Sequence, residues 1–310
     1  MSKFNSNLHW PREVLSGLGD LGTLVPYLLG YILVVGMPAQ QVFGLMGLLL
    51  VGIGALYRLP MPVQPMKAIG ALAIVASAAG QPHVQTLLVM SSLLTAAVWL
   101  LLAYLPMVSV WVRRLPTWVG HVISLLLGLS MVYSGLRGIW LDQLPGQSLS
   151  SRVGLMNTFG TDWMPLADVS LWGVALIWVL VQLPLTVGNA YLATLTQVQE
   201  AFPQRNVSPG RLALTTGGMN LVSAAVGGFP VCHGVGGLAG YRMLGGKTGL
   251  PVVSIGLAFM ALGLLAPVQL TDWLAMIPSW LVGLLLCWAG VYLARSAYRS
   301  MRFTGEGSKR

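Results

Sequence analysis

The chain has 310 residues, 55% of them apolar and 8% charged, where a soluble domain carries about 25% charged residues. A mean hydropathy of +0.76 over the whole length leaves no polar half able to form a separate water-soluble domain, which excludes an ordinary soluble enzyme and a disordered regulator. The net charge is +9, but the basic residues stand singly between apolar runs and do not cluster on one surface, so nucleic acid is excluded as a partner. What remains is a polytopic, all-α membrane protein embedded in a lipid bilayer.

Residues 1–11 are polar and lack the short apolar core and small-residue cleavage site of a secretory signal, so the first span is read as retained. Apolar runs bounded by charges, proline and glycine predict ten transmembrane spans. The first five cover 14–35, 42–57, 61–79, 84–105 and 118–141. A polar stretch, 142–168, reads as a loop, and the second five spans cover 171–201, 212–227, 230–244, 250–268 and 273–298. With ten spans both termini share one side, which receives fourteen basic residues, against Arg137 and Arg152 on the other. This positive-inside bias places both termini in the cytoplasm and the chain in the cell (inner) membrane, multi-pass, with 142–168 extracytoplasmic. Lys67 alone is left inside a span.

The organisation repeats. The third span of each half is short, opens on proline and is rich in glycine: 60–71 reads PMPVQPMKAIGA and 228–240 reads GFPVCHGVGGLAG. The first spans also correspond, LGDLGTLVPYLLG at 18–30 with LPLTVGNAYLATLT at 183–196. Five spans per unit turn the second unit over relative to the first, an inverted repeat of 1–141 and 169–310 of the kind used by secondary transporters.

Pro62, Pro65 and Pro230 cannot continue a helix and favour extended backbone before them. Each third span therefore reads as a short extended segment plus a half-helix starting near Pro65 or Val231. Inverted symmetry points both half-helix N-termini at one place near the midplane, where their free N–H groups favour an anion. Lys67 enters the first half-helix and His233 occupies the matching place in the second. Lys67 reads either as a charge offered to an anionic substrate or as a partner of Asp20, and His233 as a donor, a proton carrier or a satisfied core residue. Asp20 reads as a proton-coupling site or as structural support for Lys67 and the glycine-rich backbone. Thr23, Gln64, Thr186 and Asn189 add neutral hydrogen-bonding groups, with ordinary interhelical bonding favoured for Thr186. Gly236 and Gly240 fit a close helix-packing spacing, and Trp10, Trp118, Trp163 and Trp273 read as interfacial anchors. Cys232 and Cys287 have no metal-ligand spacing to the four histidines. No Walker loop or paired catalytic carboxylates occur, so neither cofactor nor metal nor enzymatic activity is expected.

GDLGTLVPYLLG, PMPVQPMKAIGA, PLTVGNAYLATLTQ and MNLVSAAVGGFPVCHGVGGLAGYRMLGGKTG strongly resemble the molybdate transporter family, a sulfate-transporter-like, distant branch of the superfamily of sulfate and uracil permeases. The resemblance implies a core of spans one to four and six to nine, with spans five and ten as a gate. It places the substrate between the facing half-helices, against Asp20 to Thr23, Gln64 to Lys67, Gly188, Asn189 and Pro230 to Gly234, including Cys232. Relatives usually have seven spans per repeat, so five leave a thin scaffold, which points to a homodimer or to a reduced gate. The reading is a secondary active transporter of a tetrahedral oxyanion, molybdate first. Its donors are the backbone N–H groups of Met66, Lys67, His233 and Gly234 and the side chains of Thr23, Gln64 and Asn189. Sulfate is the nearest rival, with a nucleobase permease and a small-anion channel of the same fold behind it.

Overall fold

The structure, a computed structural model, describes residues 10–104, 117–141, 164–205, 207–265 and 276–307. Most of the 142–168 loop, with Trp163, and also Trp273 lie outside the described residues, as do the side chains of Trp118 and Asn189. A helical segment occupies each of the ten ranges expected from the sequence. The first is α1 (Trp10–Leu15), a tighter turn over Ser16–Asp20, and α2 (Leu21–Leu33). It is followed by α3 (Ala39–Tyr57), β1 (Gln64–Pro65), α4 (Lys67–Ala78), α5 (Val84–Tyr104) and α6 (Thr117–Leu141). The second half runs through α7 (Val169–Leu185), a π-helical turn over Thr186–Ala193 and α8 (Thr194–Ala201). It continues with α9 (Pro209–Ala225), β2 (Val231–Cys232), α10 (Val235–Met243), α11 (Leu250–Leu265) and α12 (Ser279–Gly307). Among the described residues α3, α5 and the continuous run Val169–Ala201 are long and apolar enough to cross a membrane on their own.

Local chemistry sets the ends. Asp168 caps α7 by accepting from the Ser170 amide at 2.9 Å and hydroxyl at 2.7 Å, which holds its carboxyl below the usual carboxylate range. Ser208 caps α9 in the same way, with Pro209 at the first helical position. Two boundaries differ from expectation. The second half-helix begins at Val235, not near Val231, because Val231 and Cys232 pair as strand; His233 therefore precedes that helix, whereas Lys67 is the first residue of α4. The final helix starts at Ser279 because Pro278 bars an earlier start, and it extends to Gly307.

Packing pairs the two halves crosswise. α3 lies against α11 and α5 against α9, so the second span of each half meets the fourth span of the other, while α6 packs along α12. In the last pair, glycines let antiparallel backbones touch. A Cβ at Gly128 would sit 2.6 Å from the Gly290 carbonyl oxygen, and one at Gly135 would sit 2.5 Å from that of Gly283, with the reciprocal approaches equally short. Gly283→Leu should therefore lower the melting temperature of the detergent-solubilised protein by several degrees. Gly173→Leu, where an added Cβ meets nothing within 4 Å, should leave it unchanged; equal melting of the two variants would contradict the glycine contact.

Candidate functional site

The two broken spans meet at their extended segments. β1 and β2 pair antiparallel, Gln64 opposite Cys232 and Pro65 opposite Val231, and the ladder ends with Met66 N–H donating to the Pro230 carbonyl at 2.9 Å. Prolines that lack a donor keep each strand to two residues. Asn220 of α9 clamps the crossing from one side: its amide nitrogen donates to the Val231 carbonyl at 2.8 Å and its oxygen accepts from Val231 N–H at 3.0 Å. Tyr31 stacks on Phe229 at 4.3 Å between centroids on the approach to β2. From this crossing α4 and α10 set out, so their N-termini share one neighbourhood. The Met66 N–H, expected to face substrate, is instead consumed by the ladder.

Asp20 is fully buried beside the crossing. One carboxylate oxygen accepts from the Thr23 hydroxyl and the Gln64 amide nitrogen, and the other accepts from the Tyr241 hydroxyl at 3.3 Å. Gln64 also donates to Thr23 Oγ1 at 2.7 Å. This network joins the first span, β1 and α10. It is possible because Gly19 and Gly240 pack backbone to backbone, an added Cβ at Gly19 falling 2.3 Å from the Gly240 oxygen. Gly237 likewise leaves room for the Asp20 carboxylate, which would stand 2.5 Å from a Cβ there. The Gln64 carbonyl oxygen, by contrast, is buried without a partner. It points at Gly234, where a Cβ would meet it at 1.9 Å.

Lys67 makes no ion pair among the described residues, with Asp20 or any other carboxylate. Its ammonium sits 5.6 Å from the centroid of the Tyr292 ring on α12, a cation–π distance. The Tyr292 hydroxyl lies 3.3 Å from where a Cβ on Gly236 would be, so this residue spans Lys67 and the start of α10. The first two amides of α10, Val235 and Gly236, have no acceptor among the described residues. Tyr292 thus marks a corner that has an ammonium at the start of one half-helix and free N–H groups at the start of the other, both of which attract anions. Gly234, the residue before α10, is buried there, with the Gln64 carbonyl oxygen in the place a side chain would take.

The other expected residues are placed differently. His233 turns away from Lys67: Nδ1 meets the Pro62 carbonyl at 2.9 Å and Nε2 the Thr215 hydroxyl at 2.9 Å, so both ring nitrogens are committed. Its ring also lies edge-on to Tyr57, whose hydroxyl bonds Thr215 at 2.8 Å. Cys232 is a buried free thiol in β2. Gly188 and Asn189 lie within the π-helical turn, and Thr186 bonds inside its own helix, accepting from the Gln182 amide nitrogen at 2.7 Å. Among the described residues no three His, Cys, Asp or Glu side chains gather as metal ligands would.

Several polar groups at the crossing are not among the expected site residues. Tyr292 sits in a long apolar helix with nothing in its pattern to single it out. Tyr27 and Tyr31 press on Gly70 of α4, and their hydroxyls are buried without partners. Gln182 of α7 caps α4 from across the fold, its oxygen accepting from Ala68 N–H at 2.7 Å and Ile69 N–H at 3.3 Å.

Residues 12–131 and 175–293 match the family model described as "Molybdate transporter of MFS superfamily". The chain belongs to the molybdate transporter family. Among curated members of this family, Molybdate transporter 1 of Arabidopsis thaliana is 27% identical over 95% of this chain and 81% of its own length. Molybdate transporter 2 of the same plant is 24% identical over 92% and 78%. Solved structures share the fold of this molybdate transporter family member. The transmembrane domain of a cyanobacterial bicarbonate transporter, BicA, aligns with a TM-score of 0.61 at 15% identity, covering 92% of this chain and 89% of that one. The SLC26A9 structure aligns with a TM-score of 0.61 at 13% identity, over 92% of this chain and 58% of that one. The protein is thus a multi-pass membrane transporter for an anion and not an enzyme.

Proposed function

We propose that this family member is a secondary active transporter of molybdate, bound between the N-termini of α4 and α10. The observation that carries the reading is that Tyr292 reaches both the Lys67 ammonium and the start of α10, whose Val235 and Gly236 amides have no acceptor among the described residues, in a chain matched by a molybdate transporter model. A tetrahedral dianion needs several donors and positive potential without full neutralisation, and two helix termini with one ammonium offer that. Thr23, Gln64 and Asn189 stand on the elements that surround this corner, with the backbone of Gly234. Asp20 either holds the network in place or takes up the coupling proton.

The crosswise pairing of α3 with α11 and α5 with α9 supports a five-plus-five inverted repeat, 1–141 and 169–310. In it the α6–α12 pair forms the gate against which the remaining spans move, as rocking-bundle transport requires. Both termini face the cytoplasm of a cell (inner) membrane, as the basic residues dictate, and the thin two-helix gate favours a homodimer.

Sulfate has the same shape and charge, so the deciding experiment compares the two. In proteoliposomes holding the purified protein, saturable molybdate uptake is expected, with sulfate competing only at much higher concentration. Equal competition would make the protein a general oxyanion carrier. Uptake of uracil alone would refute the anion site, and conductance far above carrier turnover would make it a channel.

A further inference from the structure

A helix N-terminus is ordinarily capped by the residue just before it. Met66, in that position on α4, provides no side-chain cap. The cap comes instead from Gln182, 114 residues beyond Ala68, whose neutral oxygen holds the second and third amides of α4. The Gln182 side chain is 4% exposed. Beside it lies a small space of about 10 Å³, lined by Met66, Thr95, Trp99, Gln182 and Thr186 among others, about the room one water needs. Thr95 of α5, 2% exposed, borders that space with its hydroxyl unpartnered. A buried orphan hydroxyl is costly unless some state of the protein uses it.

We propose that Gln182 is a specificity-determining residue of the transport site, a neutral stand-in that occupies the Ala68 and Ile69 amides until an oxyanion displaces it towards Thr95. The inference rests on the oxyanion-transport reading above. Hydrogen bonds to an ionised oxygen are roughly twice as strong as those to a neutral one, so a dianion outcompetes the amide oxygen at these N–H groups. A neutral solute offering only a carbonyl gains nothing by replacing it, and is rejected. The free amides of α10 receive the oxyanion first, and the exchange at α4 completes its shell. Thr95 gives the displaced amide oxygen a donor in place of the Ala68 and Ile69 amides.

The test is molybdate affinity, measured by titration calorimetry on the purified full-length protein and three variants. Gln182→Ala removes the competitor and should tighten molybdate binding by roughly threefold to tenfold. Gln182→Glu puts a permanent anion in the seat and should weaken it by at least about tenfold. Thr95→Val takes away the receiving hydroxyl and should weaken binding severalfold, whereas Gln182→Ala/Thr95→Val should behave as Gln182→Ala alone, because Thr95 acts only through Gln182. A cap with a purely structural role predicts lower stability with unchanged affinity in Gln182→Ala, and that result would overturn the proposal, as would undiminished affinity in Gln182→Glu. If Gln182→Ala fails to fold, the Gln182→Glu and Thr95→Val arms decide the question. Failure of the unaltered protein to bind molybdate or sulfate would remove the transport reading itself, a different outcome from normal binding that ignores these substitutions.

Discussion

Lys67→Met should raise the molybdate concentration needed for half-maximal uptake by roughly tenfold to a hundredfold, the equivalent of losing one charge-assisted hydrogen bond of about 1.5–3 kcal/mol. The ammonium has no carboxylate ion pair among the described residues, only the face of Tyr292, so little within the protein offsets its place inside a span. Insertion scales put a lysine at the centre of a membrane helix at about 2.5–3.5 kcal/mol. Removing it should therefore leave the melting temperature of the substrate-free protein unchanged or higher. That combination separates a ligand role from a structural one, since a lysine that held the fold together would lose stability and transport together. Lys67→Arg should keep part of the affinity, because the charge stays while the donor geometry changes. Wild-type uptake by Lys67→Met would exclude the ammonium from the site.

Gly237→Ala should abolish uptake and lower stability. The new methyl would stand 2.5 Å from a carboxylate oxygen of Asp20 and 2.6 Å from Pro62 Cβ. Overpacking of this kind costs about 1–3 kcal/mol. If Asp20 moves away from Tyr241, Gln64 and Thr23, the loss approaches the roughly 3–5 kcal/mol of a buried charge stripped of its partners. A drop in melting temperature together with lost uptake is expected, measured on the same purified sample in detergent and then in vesicles. Gly22→Ala lies two residues from Asp20 but its Cβ meets nothing within 4 Å, so it should melt as the unaltered protein does. Unimpaired transport by Gly237→Ala would mean that the Asp20 network is dispensable.

How far the sequence foretold this arrangement depends on the type of signal. Apolar runs, prolines and glycines are local in sequence, and the discontinuous third and eighth segments were legible for that reason: Pro62, Pro65 and Pro230 forbid helix wherever the rest of the chain lies. The bonding of Asp20 to Thr23 and Gln64 was not foretold: the sequence pointed Asp20 at Lys67 and the other two at the substrate, and their common neighbourhood came only from the family resemblance. The cap on α4 did not, because Gln182 reaches Ala68 only through tertiary packing and resembles any polar residue near the end of an apolar run. Tyr292 was equally silent, one aromatic residue in a helix that spans more than its apolar core. His233 shows the opposite failure: its position matched Lys67 by repeat offset, but the two-residue strand displaced the start of α10 and turned the ring towards Pro62 and Thr215. Met66 was misread for the same reason, since strand pairing takes the N–H that a free helix terminus would offer.

The most direct test of the central claim is to locate the anion itself. Crystals or frozen particles of the protein with saturating molybdate or tungstate would show the metal atom by anomalous scattering or by its density. The account predicts one strong peak between the starts of α4 and α10, within hydrogen-bonding reach of its oxygens to the Val235 and Gly236 amides and the Lys67 ammonium. A peak elsewhere in the protein, or none at saturation, would contradict it.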